Sequence, residues 1–153
     1  MDNNQTNNKA VKRIKNNTLS PISEIGRVVP QATDLEAAVI GAMLLDKNAV
    51  TDTIDILTEN SFYDPKHQYI YGAIRELFAN SEPIDLLTVT NKLKKLGELE
   101  LAGGVVYVSS LTQRISSSAH AEYHARIISQ KYIQREIIRM CNEVLKDAFD
   151  ETI

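Results

Sequence analysis

The chain has 153 residues, is 43% hydrophobic and 24% charged, and carries a net charge of −3, the profile of an ordinary globular protein with enough apolar material for a core. That charge argues against a basic nucleic-acid binder, and a single cysteine, Cys141, excludes an intrachain disulfide. No apolar run approaches the ~18 residues of a membrane span and no signal-peptide core opens the chain, so a cytoplasmic location is expected.

Residues 1–29 read as a flexible tail. They are rich in Asn, lack an apolar period, and hold five basic residues against two acidic ones, +3 against −6 for the remainder. Such an arm could touch an acidic partner, but a solvated tail is the simpler reading. From Pro30 the apolar spacing becomes helical. In "TDLEAAVIGAMLL", Thr33 is expected as N-cap with Glu36 completing a capping box, and Leu35, Val39, Ile40, Met43 and Leu44 mark a face. Gly41 within it suggests a close helix crossing. Val50, Ile54 and Leu57 form a narrow stripe after Asn48, the expected N-cap of a second helix.

In "SFYDPKHQYIYGAIRELF", Asp64 is an N-cap and Pro65 the first helical residue, where its missing N–H costs nothing. Ile70, Ala73, Ile74, Leu77 and Phe78 should face the core, Phe62 and Tyr63 should anchor the turn, and His67 takes a structural or surface role. Asp85 caps a helix over 86–96 that Gly97 stops. Ala102–Gly104 is a turn. Val105, Val108, Leu111 and Ile115 mark another short helix; a strand is rejected because the spacing continues and no partner strand exists. A last helix is expected from about Ala119 to Phe149, with no Gly or Pro inside it. Tyr123, Ile127, Ile128 and Tyr132 should lie on the domain. Ile137, Ile138, Cys141, Val144, Leu145, Ala148 and Phe149 form a second stripe that needs another helix to cover it. The fold class is all-α: a compact multi-helix head over 30–117, then a long helix over 118–153 forming the first arm of a helical hairpin.

Catalytic motifs are scarce. None of the six glycines is followed by Lys, so the phosphate-binding G-x-x-x-x-G-K-[ST] loop is missing. "HAEYH" places His120 and His124 four apart on one helix face, but Glu122 lies about 200° round from His120, unlike the base of H-E-x-x-H. Cys141 on an apolar stripe reads as a small buried hydrophobe. Lys92, Lys94 and Lys95, flanked by Glu98 and Glu100, read as a solvated face. No catalytic, cofactor or metal residue is assigned.

Taken together and in this order, "PQATDLEAAVIGAMLLD", "FYDPKHQYIYGAIRELFANSEPIDLLTVTNKLKKLGELELAGGVVYVSSL" and "AEYHARIISQKYIQREII" resemble the N-terminal domain of the DnaB-type replicative DNA helicase over about Pro30 to Phe149. The Asn-rich extension before Pro30 is not covered. The resemblance implies a non-catalytic oligomerisation and primase-docking domain: an all-helical head and a hairpin, in the collar of a hexameric ring built as a trimer of dimers. It docks the C-terminal domain of primase, coupling priming to unwinding at the bacterial replication fork, with a helicase loader as a further candidate partner. Weak or no DNA binding is expected of this chain alone. ATP and magnesium would belong to a separate C-terminal motor, so the chain reads as a fragment whose hairpin lacks its second arm. Tyr107 matches a position implicated in primase docking, and Ile138 and Val144 match apolar hairpin positions that pack subunit to subunit and influence primase. The expected interface is thus Tyr107, Ile137, Ile138, Cys141, Val144 and Leu145. Two alternatives stand: the helicase-binding C-terminal domain of primase, which shares this fold, and a small metal-dependent enzyme using His67, His120 and His124.

Overall fold

Why each helix starts and stops is visible in the computed structural model, which describes residues 28–114, 117–150 and 152. The tail expected over 1–29 lies almost wholly outside these. Six α-helices and one 3₁₀ turn, and no strand, occur among the described residues: α1 (Thr33–Leu45), α2 (Lys47–Thr53), the turn Glu59–Ser61, α3 (Pro65–Ala79), α4 (Leu86–Leu96), α5 (Gly104–Leu111) and α6 (Ala121–Ala148). Residues 31–133 form one compact unit; 28–30, with the chain from Gln134 onward, belong to a second.

Helix α1 is the central element of the larger unit. It is buried from Glu36 to Leu44 except at Ala38, so its surroundings are apolar on nearly every side. The expected capping box is absent. Thr33 is already helical, Ala32 holds the cap position without a side-chain bond, and the Glu36 carboxylate turns to another segment. Asp46, not Asn48, caps α2: its Oδ1 accepts the Asn48 N–H at 2.9 Å, and its Oδ2 accepts the Ser118 hydroxyl at 2.6 Å. Position decides it: the helix already starts at Lys47, so Asn48 is a helical residue whose N–H is one of those left to be capped.

Helix α3 begins as its sequence dictates, with Asp64 accepting the Lys66 N–H at 3.0 Å and Pro65 in the first turn. It buries His67, Ile70, Tyr71, Ala73, Ile74 and Leu77, while Phe78, expected inside, is substantially exposed. Phe62 anchors the preceding turn and is buried; the Tyr63 side chain is substantially exposed, while its backbone N–H donates to Glu36. Tyr71 donates its buried hydroxyl to the Leu57 carbonyl at 2.9 Å. At the C-terminal end, Glu82 N–H reaches the Leu77 carbonyl and Ser81 N–H the Phe78 carbonyl, a Schellman closure with Ser81 at φ 56°.

Helix α4 is capped reciprocally by Asp85 and Thr88 and ends at Gly97 with φ 70°, closed by the same pair of backbone bonds to Leu93 and Lys94. Its Val89 and Leu93 are buried. Helix α5 ends at Leu111, short of the expected Ile115, which lies outside the described residues; the Thr112 hydroxyl folds back to the Ser109 carbonyl at 2.8 Å. Val108 and Leu111 face the core, whereas Val105 does not. The first half of α6 packs through Ala121, Ala125 and Ile128, while Tyr123, expected on that face, is exposed.

The core joins Val39, Ile40 and Met43 of α1 to Ile70, Tyr71 and Ile74 of α3, with Leu93, Leu111 and Ile128. Fully burying one such side chain stabilises by about 1.5–3 kcal/mol. No buried side-chain nitrogen or oxygen among the described residues lacks a hydrogen-bond partner. No helix among them is long and apolar enough to cross a membrane.

Candidate partner-docking sites

The polar centre of the larger unit is a buried chain of hydrogen bonds that ends on Tyr107. Glu36 and His67 are 1% and 2% exposed. Burial of a carboxylate is costly unless its lone pairs are used. Here Oε2 accepts the Tyr63 N–H at 2.8 Å, while Oε1 accepts the Asp64 N–H at 3.2 Å and His67 Nδ1 at 2.9 Å. A carboxylate only accepts, so the His67 proton is on Nδ1. In the neutral ring Nε2 then carries a lone pair, and it meets the Tyr107 hydroxyl at 2.6 Å.

Tyr107 is held from other sides as well. The Lys66 ammonium lies 4.3 Å from its ring centroid. Gly103, at φ 96°, backs its Cβ so closely that a Cβ on Gly103 would lie 2.7 to 2.8 Å from Tyr107 atoms. Burial, first, and then the Asp64 carboxylate push the Tyr107 phenol above its ordinary range; Arg114 opposes this and Glu36 adds to it. Against the neutral imidazole protonated at Nδ1, the hydroxyl is the donor to Nε2. Tyr107 itself is half-buried, and Leu101, Val105 and Val106 nearby in the sequence are exposed, Val106 at 85%.

The second surface is on α6 beyond Gln134. Ile137, Val144 and Leu145 are exposed, Val144 at 68%, and Ile138 is partly buried. Cys141 is exposed, so the burial expected of it does not occur within this chain. Ile133 and Met140 are exposed too. At 100° per residue, Ile133, Ile137, Met140 and Val144 stay within an arc of about 60°. Alternating steps of four and three are the spacing of a coiled-coil seam. The sequence reading missed Ile133 and Met140, although that alternation was there to find. Away from the seam, Arg139 bridges Glu136 at 2.9 Å and Glu143 at 2.6 Å.

Of the six residues expected at an interface, five thus share α6 and Tyr107 stands on α5. The missed residues are Glu36 and His67, 71 and 40 positions before Tyr107 in the chain. His120 and His124, with ring centroids 6.2 Å apart, gather no third ligand: no cluster of three His, Cys, Asp or Glu suited to a metal occurs among the described residues. A groove beside α2 is lined by Val50, Phe78, Pro83 and Ile84 together with Lys47, Thr51, Ser81 and Glu82.

A sequence profile of the DnaB-like helicase N terminal domain matches residues 28–130, two thirds of the chain. The chain belongs to that family. The replicative DNA helicase DnaB of Rhodothermus marinus is 51% identical over 114 residues, 74% of this chain and 12% of that protein. The DnaB of Geobacillus stearothermophilus is 37% identical over 123 residues, 80% of this chain and 27% of that protein. The chain therefore spans a minor part of these relatives' length. The crystal structure of the N-terminal domain of DnaB helicase from Mycobacterium tuberculosis superposes with a TM-score of 0.77 at 33% identity, covering 81% of this chain and 90% of that one. A DnaB-like replicative helicase, whose structure was described with its interactions with primase, shares the fold at a TM-score of 0.68 and 21% identity, over 76% of this chain and 27% of that one. The Tyr107 site lies inside the residues matched to the DnaB N-terminal domain; the seam from Ile133 onward lies outside them.

Proposed function

We propose that this chain is a non-catalytic docking and oligomerisation module of a replicative DNA helicase. Its α5 surface receives the C-terminal domain of primase, and the α6 seam pairs with another helix in a helicase collar. The observation that carries the reading is the half-buried Tyr107, fixed at its hydroxyl by His67 while its ring stays partly open to solvent. A rigid, partly exposed aromatic is the kind of residue that anchors a protein-binding hot spot. The relation to a DnaB-like helicase described with primase supports that choice of partner. ATP and magnesium are placed in a motor domain of the full helicase, and a loader is a further partner for the same module.

The relatives named above are replicative helicases, which favours the helicase reading over that of a primase C-terminal domain. The metal-enzyme reading is not favoured either, because His67 is committed to Glu36 and Tyr107. Calorimetric titration with the cognate primase C-terminal domain is the test. Tyr107→Ala is expected to weaken binding at least tenfold while circular dichroism stays unchanged; equal affinities would remove Tyr107 from the interface.

A further inference from the structure

We propose that His67 is a positioning residue for the docking surface: the Glu36–His67 pair holds the Tyr107 hydroxyl, and through it sets the ring that a partner meets. This rests on the reading of Tyr107 as a docking residue and adds a requirement to it, namely that the hydroxyl matters as well as the ring.

A tyrosine packed only for its apolar area would leave its hydroxyl in water. Here the hydroxyl points inward and ends a chain with no loose member. Glu36 accepts two backbone N–H groups and the His67 Nδ1–H, so the imidazole cannot turn over without leaving the carboxylate oxygens short of a donor. Nε2 is thereby aimed outward at Tyr107, at 2.6 Å. The two rings lie 18° from parallel. Gly103 fixes the base of the same side chain and Lys66 covers a face. A ring held at base, face and tip has lost its rotamer freedom before a partner arrives, and that ordering cost is removed from binding. The groups that set the field are Glu36 on α1, Asp64 and Lys66 at the start of α3, and Arg114 after α5.

The test uses variants that cut one link at a time. Tyr107→Phe removes the hydroxyl alone. His67→Asn keeps a donor near the Nδ1 position but nothing at Nε2, and His67→Gln keeps a group near Nε2. Titrated with the primase C-terminal domain, Tyr107→Phe and His67→Asn should each weaken binding about five- to tenfold. The double variant should be no weaker than either single, and His67→Gln should recover part of the loss. Wild-type affinity in Tyr107→Phe, or losses that multiply in the double variant, would overturn the proposal while leaving the docking reading intact. If Tyr107→Ala binds normally, it is the docking reading that fails. Positioning is then judged on the free 153-residue chain by the ¹⁵N shifts of His67. An Nδ1–H tautomer whose Nε2 shift moves in Tyr107→Phe supports it, and an Nε2–H tautomer or an unmoved shift refutes it.

Discussion

Tyr71 shows how one buried side chain dictates an alkaline limit. Its hydroxyl donates to the Leu57 carbonyl inside the core, and burial, the main cause, pushes its pKa up to about 12. In the unfolded chain the same phenol ionises near its ordinary value of 10.0. The folded-state value is the higher one, so its contribution is fully present below pH 10 and is lost as pH rises toward 12. Thermal melts across that window should therefore show wild type losing stability faster than Tyr71→Phe. At neutral pH Tyr71→Phe should be the less stable by roughly 1 kcal/mol, since the Leu57 carbonyl loses its donor. Parallel loss in both proteins would show that this hydroxyl does not set the limit.

Capping residues decide the elements, and they divide into those that sequence reveals and those it does not. Asp64 before Pro65, and Asp85 twelve residues before the stop at Gly97, were legible because the partner of each cap is local. The Glu36 carboxylate was not, nor was the second bond of Asp46, to Ser118 72 residues on; its cap on the Asn48 N–H is local, and the sequence reading puts Asn48 in its place. Thr33 with Glu36 has the capping-box spacing, yet Glu36 serves the backbone of residues 63 and 64, a choice made by tertiary packing. Most of the core face of α3 followed from period, whereas Phe78, Val105 and Tyr123 were misplaced because a short period fixes a stripe's axis better than its width. Tyr107 was reached through family resemblance, and nothing local to His67 announced that the two residues meet.

Asp46 supplies a prediction for that scale. Its hydrogen bond from Ser118, then that from Asn48 N–H, hold its pKa below the ordinary 3.8. With the folded value depressed, the stabilisation is present above the unfolded value and fades as pH falls through the folded one. Ser118→Ala should lower the melting temperature at pH 7 and converge on wild type at pH values well below 3.8. A gap that persists in strong acid would mean that the carboxylate charge is irrelevant to this contact.

For the whole molecule, the exposed seam of α6 is the feature that asks for company. Ile133, Ile137, Met140 and Val144 present a coiled-coil face whose burial needs a second helix. Ile137→Asp should weaken self-association in sedimentation equilibrium by an order of magnitude or more, with helix content retained; an unchanged oligomer would place the assembly interface elsewhere. Arg139, paired to Glu136 and Glu143 within its own helix, should be nearly silent in the same assay, because exposed ion pairs contribute little.

The hydrogen-bond chain from Glu36 to Tyr107 also has a genetic meaning. Position 36 is sealed from solvent, so no partner can touch it, yet its side chain is two bonds removed from the tyrosine that a partner would meet. A screen for lost binding would score changes at 36 beside changes at 107, and second-site revertants of one should cluster around the other. Inheritance would then trace an interface through a residue that is not on the surface.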